Sequence, residues 1–321
     1  MKGDSSLTPE DVAEILKIKK NTVYELIKRG DLAAYRVGRK LRIEWEDVEA
    51  YKARRKEFIQ PSLSVGVSPA LIQPFISEGN EVQTSFQPGL VIYGQDILLD
   101  ILSHNIENNS EGVRVYRKNL GSFPGLIALY EGKADVVSVH LWDSDTDTYN
   151  IPYVRKFLPG IPTVIIHLAT RTQGFYVKQG NPLKIEKWED LTRSGLRLVN
   201  REPGSGTRVL VDEKLRMLGI NRLSIKGYQN VERSHTSVVI AVARDLADVG
   251  VGNQKAAMQV EGIEFIPLQQ ERYELVLKEE DLNKPIVQQL LSTLASSSFR
   301  QEIDGLGGYG LSEIGRVVAR V

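Results

Sequence analysis

The stretch Leu7-Thr8-Pro9-Glu10-Asp11-Val12-Ala13-Glu14-Ile15-Leu16 decides the first part of the fold, because it has the pattern of a capped amphipathic helix. Thr8 is a favourable N-cap, and Pro9 suits the first helical position because its missing N–H costs nothing there. Val12, Ile15 and Leu16 recur at helical spacing and form one apolar face. The stretch therefore predicts a short helix that packs against a neighbouring element.

A second helix is predicted over Asn21–Arg29, with Gly30 ending it in the left-handed conformation. Two helices joined by a tight turn are the layout that places the second helix in the major groove of DNA. The outward face of this helix carries polar and basic residues. Those expected to reach bases or phosphates are Asn21, Thr22, Tyr24, Lys28 and Arg29.

A basic hairpin is predicted next, because the β-like runs 34–37 and 41–43 flank a short turn. Basic side chains at the tip and beside it are typical of a wing that touches DNA phosphates. The expected phosphate contacts are Arg36, Arg39 and Lys40. A third helix is predicted after the hairpin, and the side chains expected to close the small core are Trp45, Val48 and Tyr51.

This segment resembles the excisionase-type winged helix-turn-helix family over about fifty residues. The resemblance rests on the spacing of the apolar positions, the turn Lys28-Arg29-Gly30 and the wing Val37-Gly38-Arg39-Lys40. It implies a mainly α domain over residues 1–60 that binds double-stranded DNA. The alternative is a small helical domain that only packs against the rest of the chain.

The composition excludes several classes of site. The 321 residues contain no cysteine, which excludes disulfides, thiolate metal ligands and cysteine nucleophiles. The four histidines lack the spacing of metal ligands, so no cation site is predicted. No early apolar run is typical of a signal peptide and no stretch is long enough to span a bilayer, so we expect a cytoplasmic chain without membrane contact. Residues 1–60 carry 14 Lys and Arg against 11 Asp and Glu in a chain of zero net charge, which makes this end the more basic one.

The larger part of the chain has the pattern of an α/β domain. Residues 61–88 are predicted to be a connector. From residue 89 onwards, buried-strand runs such as 90–93 alternate with helical segments, and such β–α–β units imply mostly parallel sheets with ligands at the carboxyl ends of the strands. Two sets of these units, joined by two extended crossing segments, predict two lobes that close over a ligand by a hinge. The expected lobes are about 89–167 with 273–321, and about 168–272.

The turn Asn200-Arg201-Glu202-Pro203-Gly204-Ser205-Gly206-Thr207-Arg208 concentrates hydrogen-bond donors between a predicted strand and a predicted helix. Its glycines let backbone N–H groups turn toward one point, Ser205 and Thr207 add hydroxyls, and the helix dipole adds positive potential. Arg201 and Arg208 could add charge-assisted hydrogen bonds. The order of a P-loop is missing, so the turn predicts an anion site of another kind. The alternative is an ordinary Gly-rich turn with a capped helix.

Other strand-to-helix turns are expected to face the same cleft. Gln95 follows the first strand, Ser122 precedes a helix, and Ser234 and His235 open another helix. Helix capping explains each position as well as ligand contact does, and only their joint placement favours a ligand. Two further side chains could flank the cleft or simply pack: His140 and Trp142.

The body of the chain also resembles the periplasmic-binding-protein-like domain of molybdate-type regulators, over roughly residues 88–315. The resemblance rests on an ordered set of stretches, among them Gly121-Ser122-Phe123-Pro124-Gly125-Leu126, the turn 201–208, Ser234-His235-Thr236-Ser237 and Gly305-Leu306-Gly307-Gly308-Tyr309. It implies a two-lobed type 2 α/β fold and a tungstate or molybdate oxyanion as effector, with no covalent cofactor. The ligand positions it implies are Ser122, Arg201, Ser205, Gly206, Thr207 and Ser234.

One acidic residue departs from what a bare dianion needs. Asp96 stands where the first helix of the body begins, and a carboxylate there would repel a dianion. Asp96 could cap its helix and point away, or it could bind donor groups of a larger ligand such as a pterin ring. The sequence leaves both alternatives open.

Two functions from different classes fit these observations. The first is a one-component transcriptional regulator, a homodimer in which a small anionic ligand closes the lobes and changes the spacing of two winged helices on DNA. The second is a protein that binds or processes a molybdenum-cofactor or pterin-type precursor, with the N-terminal domain as a tether. No Ser–His–acid set, carboxylate pair or metal cluster can be assembled from the spacing, so we predict a regulator and not an enzyme.

Overall fold

The computed structural model describes residues 6–28, 32–37, 40–45, 47–48, 51, 89–110 and 112–321. The contacts between residues divide the chain into two units, Met1–Val82 and Gln83–Val321. Several sequence predictions lie outside the described residues: the connector 61–88, the helix end at Arg29 and Gly30, and Gly38 and Arg39 of the wing. The side chains of Lys28 and Arg36 also lie outside them.

Two short helices begin the N-terminal unit, α1 over Pro9–Leu16 and α2 over Lys20–Lys28. Thr8 and Asp11 cap α1 reciprocally. The Asp11 N–H donates to Thr8 Oγ1 at 3.2 Å, and the Thr8 N–H donates to Asp11 Oδ2 at 2.8 Å. The cap satisfies N–H groups that the first helical turn would otherwise leave without partners. The predicted pair of helices is confirmed.

A small antiparallel sheet completes this unit, with strand order β1-β3-β2. Its strands are β1 (Ser6–Leu7), β2 (Tyr35–Val37) and β3 (Lys40–Glu44), and the β2–β3 pair is the predicted hairpin. The core of the unit is formed by Val12, Val23, Leu26, Leu32, Ile43 and Val48. Trp45 keeps 45% of its surface exposed, so the prediction that it closes the core is wrong. Val48 is fully buried and Tyr51 packs against the same core, so the prediction is confirmed for these two residues.

The C-terminal unit alternates strands and helices along the chain. Its first part contains β4 (Leu90–Tyr93), α3 (Ile97–Asn108), β5 (Val115–Lys118), α4 (Ser122–Tyr130) and β6 (Val136–Val139). A short hairpin of β7 (Trp142–Asp143) and β8 (Thr148–Tyr149) follows, and then α5 (Ile151–Phe157). The second part contains β10 (Leu198–Arg201), α6 (Gly206–Met217), β11 (Val231–Glu232), α7 (His235–Ala243), β12 (Val249–Asn253) and α8 (Gln254–Ala257).

Two long strands run through both parts of this unit. They are β9 (Thr163–Lys178) and β13 (Ile263–Lys278), and they pair antiparallel along their length. The chain then forms α9 (Pro285–Ala295), α10 (Ser297–Leu306) and β14 (Val317–Arg320), and β14 pairs with β9. We call the β4–β6 part with α9 and α10 lobe 1, and the β10–β12 part lobe 2.

Nine strands of the C-terminal unit form one sheet in the order β11-β10-β12-β9-β13-β6-β4-β5, with β14 paired to β9, and the hairpin β7–β8 forms a separate pair. Pairing is parallel between β4 and its neighbours β5 and β6, and between β10 and its neighbours β11 and β12. The prediction of mostly parallel sheets is wrong for the centre of the sheet. The long strands β9 and β13 run in opposite directions there, and they pair antiparallel with β12 and β6.

Each lobe has its own apolar core. In lobe 1, fully buried side chains of β4 and α3, among them Leu90 and Leu98, pack against Leu290 of α9. In lobe 2, Leu198 of β10 packs with Val211 of α6 in a separate core. Burying one such side chain contributes roughly 1.5–3 kcal/mol, so each core stabilises its own lobe. The predicted two-lobed α/β fold is confirmed.

Candidate functional site

The cleft between the lobes is surrounded by the N-terminal ends of four helices. Gln95 precedes α3, Ser122 begins α4, Ser205 caps α6 and His235 begins α7, and all four residues line the same small cavity. A helix N-terminus presents free N–H groups and a positive partial charge. The convergence of these helix ends therefore favours a negatively charged group in the cleft.

We call this small cavity the inner cavity. Its volume is about 10 Å³, which is room for one water molecule. Both lobes and the crossing strand β13 contribute to its wall, and most of the wall is polar. The lining residues are Gln95, Leu120, Gly121, Ser122, Ser138, His140, Arg201, Ser205, His235 and Tyr273.

A second space, the outer cavity, adjoins the inner cavity and opens to solvent. Its volume is about 380 Å³, and Gln95 and His235 line both spaces. The other lining residues are Asp96, Ile97, Asp100, Asn119, Arg233, Ser234, Thr236, Asn253, Lys255, Ala256, Gln259 and Tyr309. The outer cavity thus lies between the same two lobes but offers far more room.

The first turn of α6 leaves two N–H groups for an anion. The Ser205 hydroxyl accepts from the Arg208 N–H at 3.3 Å and donates to the Glu202 carbonyl oxygen at 2.9 Å. The cap therefore uses the Arg208 N–H and the hydroxyl proton of Ser205. The N–H groups of Gly206 and Thr207 have no acceptor within the helix, because they belong to its first turn.

The two lobes touch directly at the inner cavity. The Phe123 N–H of lobe 1 donates to the Gly204 carbonyl oxygen of lobe 2 at 2.9 Å. A Cβ on Gly206 would lie 2.6 Å from the ring and from the carbonyl oxygen of His140, a distance that a side chain cannot occupy. Glycine at position 206 therefore permits the closed arrangement of the lobes.

Arg201 is buried, with 2% of its surface exposed, but its charge is already neutralised. Its Nε donates to Glu202 Oε2 at 2.7 Å and its Nη2 donates to Glu202 Oε1 at 2.8 Å. The same Nη2 donates to Gln95 Oε1 of lobe 1 at 2.6 Å. Arg201 therefore joins the lobes, and its bidentate pair with Glu202 leaves little net positive charge for a ligand.

A chain of buried charged side chains lies beside the inner cavity. Arg171 of β9 donates from Nε to Glu271 Oε1 of β13 at 2.6 Å and from Nη1 to Asp96 Oδ2 at 2.5 Å. Glu271 Oε2 lies 2.8 Å from His140 Nδ1, and the Arg171 guanidinium lies 3.8 Å from the centre of the Tyr273 ring. The site therefore supplies its own counter-ions.

Both members of the central pair stay ionised. Burial alone would raise the pKa of Glu271, but the charge of Arg171 and the contact with His140 lower it to about 2. Burial would likewise lower the pKa of Arg171, and Glu271 and Asp96 raise it above its ordinary value. A ligand in the cleft meets a guanidinium that two carboxylates already neutralise.

Asp96 both caps its helix and pairs with Arg171. Its Oδ1 accepts from the Leu98 N–H at 2.9 Å and from the Tyr309 hydroxyl at 2.9 Å, while Oδ2 faces Arg171. Of the two alternatives left open by the sequence, the capping role is the one seen. Asp96 lines the outer cavity, and the repulsion expected between this carboxylate and an anion is reduced because Arg171 pairs with it.

His235 is an uncharged member of the wall. Burial and the positive charges of Arg201 and Arg171 lower the pKa of His235 well below its ordinary value. Its Nδ1 is buried and has no hydrogen-bond partner among the residues that the structure describes. The neutral ring can donate one hydrogen bond and accept another, so it suits a ligand or a water in either cavity.

The comparisons with known proteins agree with this architecture. Residues 103–295 match the PBP superfamily domain, and residues 6–56 match a helix-turn-helix domain. The chain belongs to the PBP superfamily. It is 39% identical to the uncharacterised protein YvgK of Bacillus subtilis over 99% of both chains. It is 49% identical over 113 residues, 35% of this chain, to the whole of an uncharacterised protein from the 5′ region of a ferredoxin gene of Clostridium pasteurianum.

Many solved structures are similar to the PBP domain, and one of them serves as an example. It is a Clostridium perfringens protein assigned to phosphate ABC transport as a substrate-binding protein, determined with bound phosphate. The match has a TM-score of 0.52 at 13% identity and covers 69% of this chain and 98% of that chain. At this identity the likeness shows the fold of the PBP domain and nothing about its ligand.

The PBP domain brings most of the predicted ligand residues together. Gln95, Ser122, Arg201, Ser205 and His235 line the inner cavity. Gly206 contacts His140 directly beside it. Ser234 lines the outer cavity, where its hydroxyl accepts from the Ser237 N–H at 2.9 Å. Ligand contact by these residues stays a prediction.

Two predicted ligand residues lie away from both cavities. The Arg208 guanidinium stacks on Tyr228 at 4.0 Å and donates from Nη1 to the Arg201 carbonyl oxygen at 3.0 Å. Thr207 donates from Oγ1 to Gln173 Oε1 at 3.4 Å. Both side chains are buried by these contacts, so the hydroxyl and the guanidinium act inside lobe 2, and only the Thr207 N–H remains available.

The charged and polar residues of the crossing strands were not predicted from the sequence. Arg171 and Glu271 form the central ion pair, and Tyr273 with Ser138 completes the wall through a hydroxyl–hydroxyl contact of 2.8 Å. A charged residue inside an otherwise apolar strand was the available signal, because such a residue is seldom buried unless it is paired. Trp142, in contrast, packs away from the cleft, with Lys214 Nζ 3.8 Å from its ring centre.

The part of the chain that the structure describes contains the residues for neither of two other kinds of site. No group of three or more His, Cys, Asp or Glu side chains there could hold a metal ion. No described helix has the length and apolar character that crossing a bilayer requires.

The predicted DNA-contact residues of the helix-turn-helix domain lie on an accessible face. Asn21, Thr22 and Tyr24 are exposed on α2, and Lys40 is exposed at the start of β3. Tyr24 and Lys40 line one groove with Thr8, Pro9, Glu10, Leu41 and Arg42. Lys20 of α2 pairs with Glu10 of α1 beside this groove. The second helix and the hairpin thus present one continuous surface.

Proposed function

We propose that this chain is a ligand-responsive, one-component transcriptional regulator that works in the cytoplasm. The helix-turn-helix domain would bind double-stranded DNA, and the PBP domain would hold a small anionic ligand between its lobes. The observation that carries the proposal is the union on one chain of a DNA-binding type of domain with a closed, donor-lined cleft. Domains of these two types typically bind their partners without converting them, which supports a regulator over an enzyme.

The anionic character of the ligand is supported by the helix ends. Each of the four helices that begin at the inner cavity contributes about half a positive charge at its N-terminus. The free N–H groups of Gly206 and Thr207 add donors at fixed positions. Ser122 adds a buried hydroxyl, whose oxygen accepts from the backbone N–H of His140 at 3.4 Å. The hydroxyl proton is left to donate to a ligand. These neutral donors, more than the paired guanidinium groups, would bind the anion.

Tungstate and molybdate are the oxyanions that we propose first, because neutral donors and helix dipoles suit a compact dianion. The inner cavity of about 10 Å³ has room for one water, so the lobes must open to admit a tetrahedral oxyanion and then close around it in a slightly wider arrangement. Direct contacts such as Phe123 N–H to the Gly204 carbonyl would lengthen as the anion enters. Binding would therefore change the angle between the lobes, which is the movement a regulator needs.

The readout on DNA would require two copies of the chain. A homodimer places two recognition helices at a fixed spacing, and a change in that spacing alters the fit to two half-sites. Domain closure in each copy would shift the population between a DNA-competent and a DNA-poor arrangement. The sign of the effect depends on which arrangement the ligand prefers.

The test begins with a DNA site selected from a random duplex library by the full-length protein. Its Kd is then measured without ligand and with tungstate, molybdate or phosphate, the anion bound by the Clostridium perfringens relative. We expect tungstate or molybdate to change the Kd by at least about fivefold, the lower end of typical allosteric coupling. Ser122→Ala should weaken the response and leave DNA binding without ligand unchanged. If the Kd measured with each of the three anions equals the Kd measured without ligand, oxyanion sensing is refuted.

A further inference from the structure

We propose that the outer cavity holds the hydroxyl-rich body of an organic phosphate, a phosphorylated sugar or polyol, whose phosphate group enters the inner cavity. The inference rests on the proposed function, because it concerns the same anion-binding cleft, and it sets an organic phosphate against the bare oxyanion as the ligand of that cleft. The two cavities differ in what they offer a ligand. The inner cavity of about 10 Å³ has the anion-binding features, and the outer cavity of about 380 Å³ has the room.

The two spaces share a wall, so one molecule can occupy both. Gln95 and His235 line the inner and the outer cavity alike. Gln95 is held by Arg201 Nη2 at 2.6 Å, and His235 is neutral with its Nδ1 buried. A neutral ring at this junction accepts a ligand's hydroxyl without the desolvation cost of a charge. The size of the outer cavity lies in the range of sites for small organic molecules, which is about 300–1,000 Å³.

The chemistry of the outer wall favours hydroxyl groups. Carboxamides and hydroxyls dominate it, and each of these groups can both donate and accept a hydrogen bond, as a sugar hydroxyl does. Among the described residues, the side chains of Asn119, Thr236 and Gln259 make no hydrogen bond within the protein. These three side chains come from both lobes, so the hydroxyl groups of a ligand between them could form hydrogen bonds with both lobes.

Four charged side chains and two apolar surfaces complete the wall, and two of the charged groups, Asp96 and Lys255, already have partners within the protein. Asp100 of lobe 1, which pairs with Arg117 Nη1 at 3.0 Å, and Arg233 of lobe 2 stand at opposite walls. Ile97, 42% exposed, and the ring of Tyr309 offer the apolar surface that the carbon face of a sugar needs. A flat heteroaromatic body would find few aromatic partners here, because the described wall of the outer cavity has two aromatic rings, the phenol of Tyr309 and the small imidazole of His235.

The experiment uses a series of phosphates with a growing body and the full-length chain. Calorimetry measures the Kd of inorganic phosphate, glycerol 3-phosphate, ribose 5-phosphate and glucose 6-phosphate. We expect at least one organic phosphate to bind at least about tenfold more tightly than inorganic phosphate, since contacts worth 1.4 kcal/mol give a factor of ten. Tungstate and molybdate are titrated beside them.

Two variants fill the outer cavity from different walls. Thr236→Trp and Gln259→Trp should each abolish the gain of the organic phosphates and leave the Kd of inorganic phosphate within about twofold. Thr192→Trp places the same side chain on an exposed position of lobe 2 outside the described cavities and serves as the matched control. Thermal melting of each variant verifies folding, and the second variant keeps the test valid if the first is unstable.

The outcomes separate this inference from the proposed function. If all four phosphates bind equally, or if both Trp variants leave the organic phosphates unaffected, the inference is overturned while anion sensing stands. If an organic phosphate binds tightly but leaves the Kd for DNA unchanged, the inference holds and the regulatory proposal fails. If no phosphate, tungstate or molybdate binds at all, both are overturned.

Discussion

Arg171 and Glu271 face each other across the two crossing strands β9 and β13, with Arg171 Nε 2.6 Å from Glu271 Oε1. Both side chains are buried, with 2% and 1% of their surfaces exposed. From this pair, contacts lead to Asp96 at the start of α3 and to His140 after β6, so the pair fixes lobe 1 to the strands that link the lobes. The pair holds lobe 1 in place beside the cleft, and it can do so only while both groups stay charged.

The first prediction concerns the stability that depends on this pair. Arg171→Met leaves Asp96 and Glu271 buried without their cation, and breaking a buried pair costs about 3–5 kcal/mol. Urea unfolding of the variant and the parent protein measures the loss. Arg216→Met is the control, because Arg216 is 53% exposed where it pairs with Asp145, and exposed pairs contribute about 1 kcal/mol or less. Equal losses in the two variants would contradict the assigned role.

The second prediction is a pH dependence that Glu271 causes. The pKa of Glu271 is about 2 in the folded chain, lowered from an ordinary value of 4.5. A depressed carboxyl pKa contributes stability above pH 4.5, and this contribution is lost as the pH falls from 4.5 towards 2. Glu271→Gln lacks the contribution, so it should be less stable than the parent at pH 7, and the gap should narrow below pH 4.5. Unfolding free energies at pH 7, 5, 4 and 3 verify this, and a gap that stays constant with pH would count against it.

The third prediction concerns closure of the lobes. Gly206→Ala places a Cβ 2.6 Å from the His140 ring, so the lobes must stay further apart. Overpacking of this kind costs about 1–3 kcal/mol, which predicts an anion affinity about five- to a hundredfold weaker. Small-angle scattering should show a less compact protein, and calorimetry should show the loss of affinity. Gly305→Ala is the control, because a Cβ there meets no atom within 4 Å. Anion binding by Gly206→Ala at the affinity of the parent would show that closure is not needed.

The fourth prediction concerns the DNA surface. Lys40 is exposed at the start of β3, where a phosphate contact would release a counterion. Lys40→Ala should reduce the slope of log K against log salt by about 0.9 for one lost phosphate contact. Lys156→Ala removes the same charge from an exposed position of the PBP domain and should leave the slope unaltered. A slope that Lys40→Ala does not change would mean that the hairpin does not touch the DNA backbone.

The local parts of this structure follow from the sequence. The Thr8 cap, the first helical turn at Pro9 and the β4 strand at 90–93 lie where the sequence predicts them. Capping and the alternation of apolar residues act over a few neighbouring positions, so a single stretch contains all the information they need. The Gly-rich turn before α6 could be predicted for the same reason, and Ser205 caps this helix as expected.

The side chains of the same turn were harder to assign. Arg208 has the right charge and the right position for an anion, yet it stacks on Tyr228, 20 residues further along the chain. Arg201 does reach the inner cavity, but its neighbour Glu202 neutralises it. Spacing tells which residues share a turn, whereas the direction and the partner of each long side chain depend on what the fold places opposite it.

The sequence by itself determined two domain types, their order and the helix ends that surround the cleft. The tertiary structure alone decided that Arg171 meets Glu271, 100 residues away, and that the cleft is divided into a tight inner and a roomy outer space. The reason is physical. Caps and periodicity depend on contacts between near neighbours, while the pairing of buried charges depends on the register of two long strands, which the whole sheet fixes.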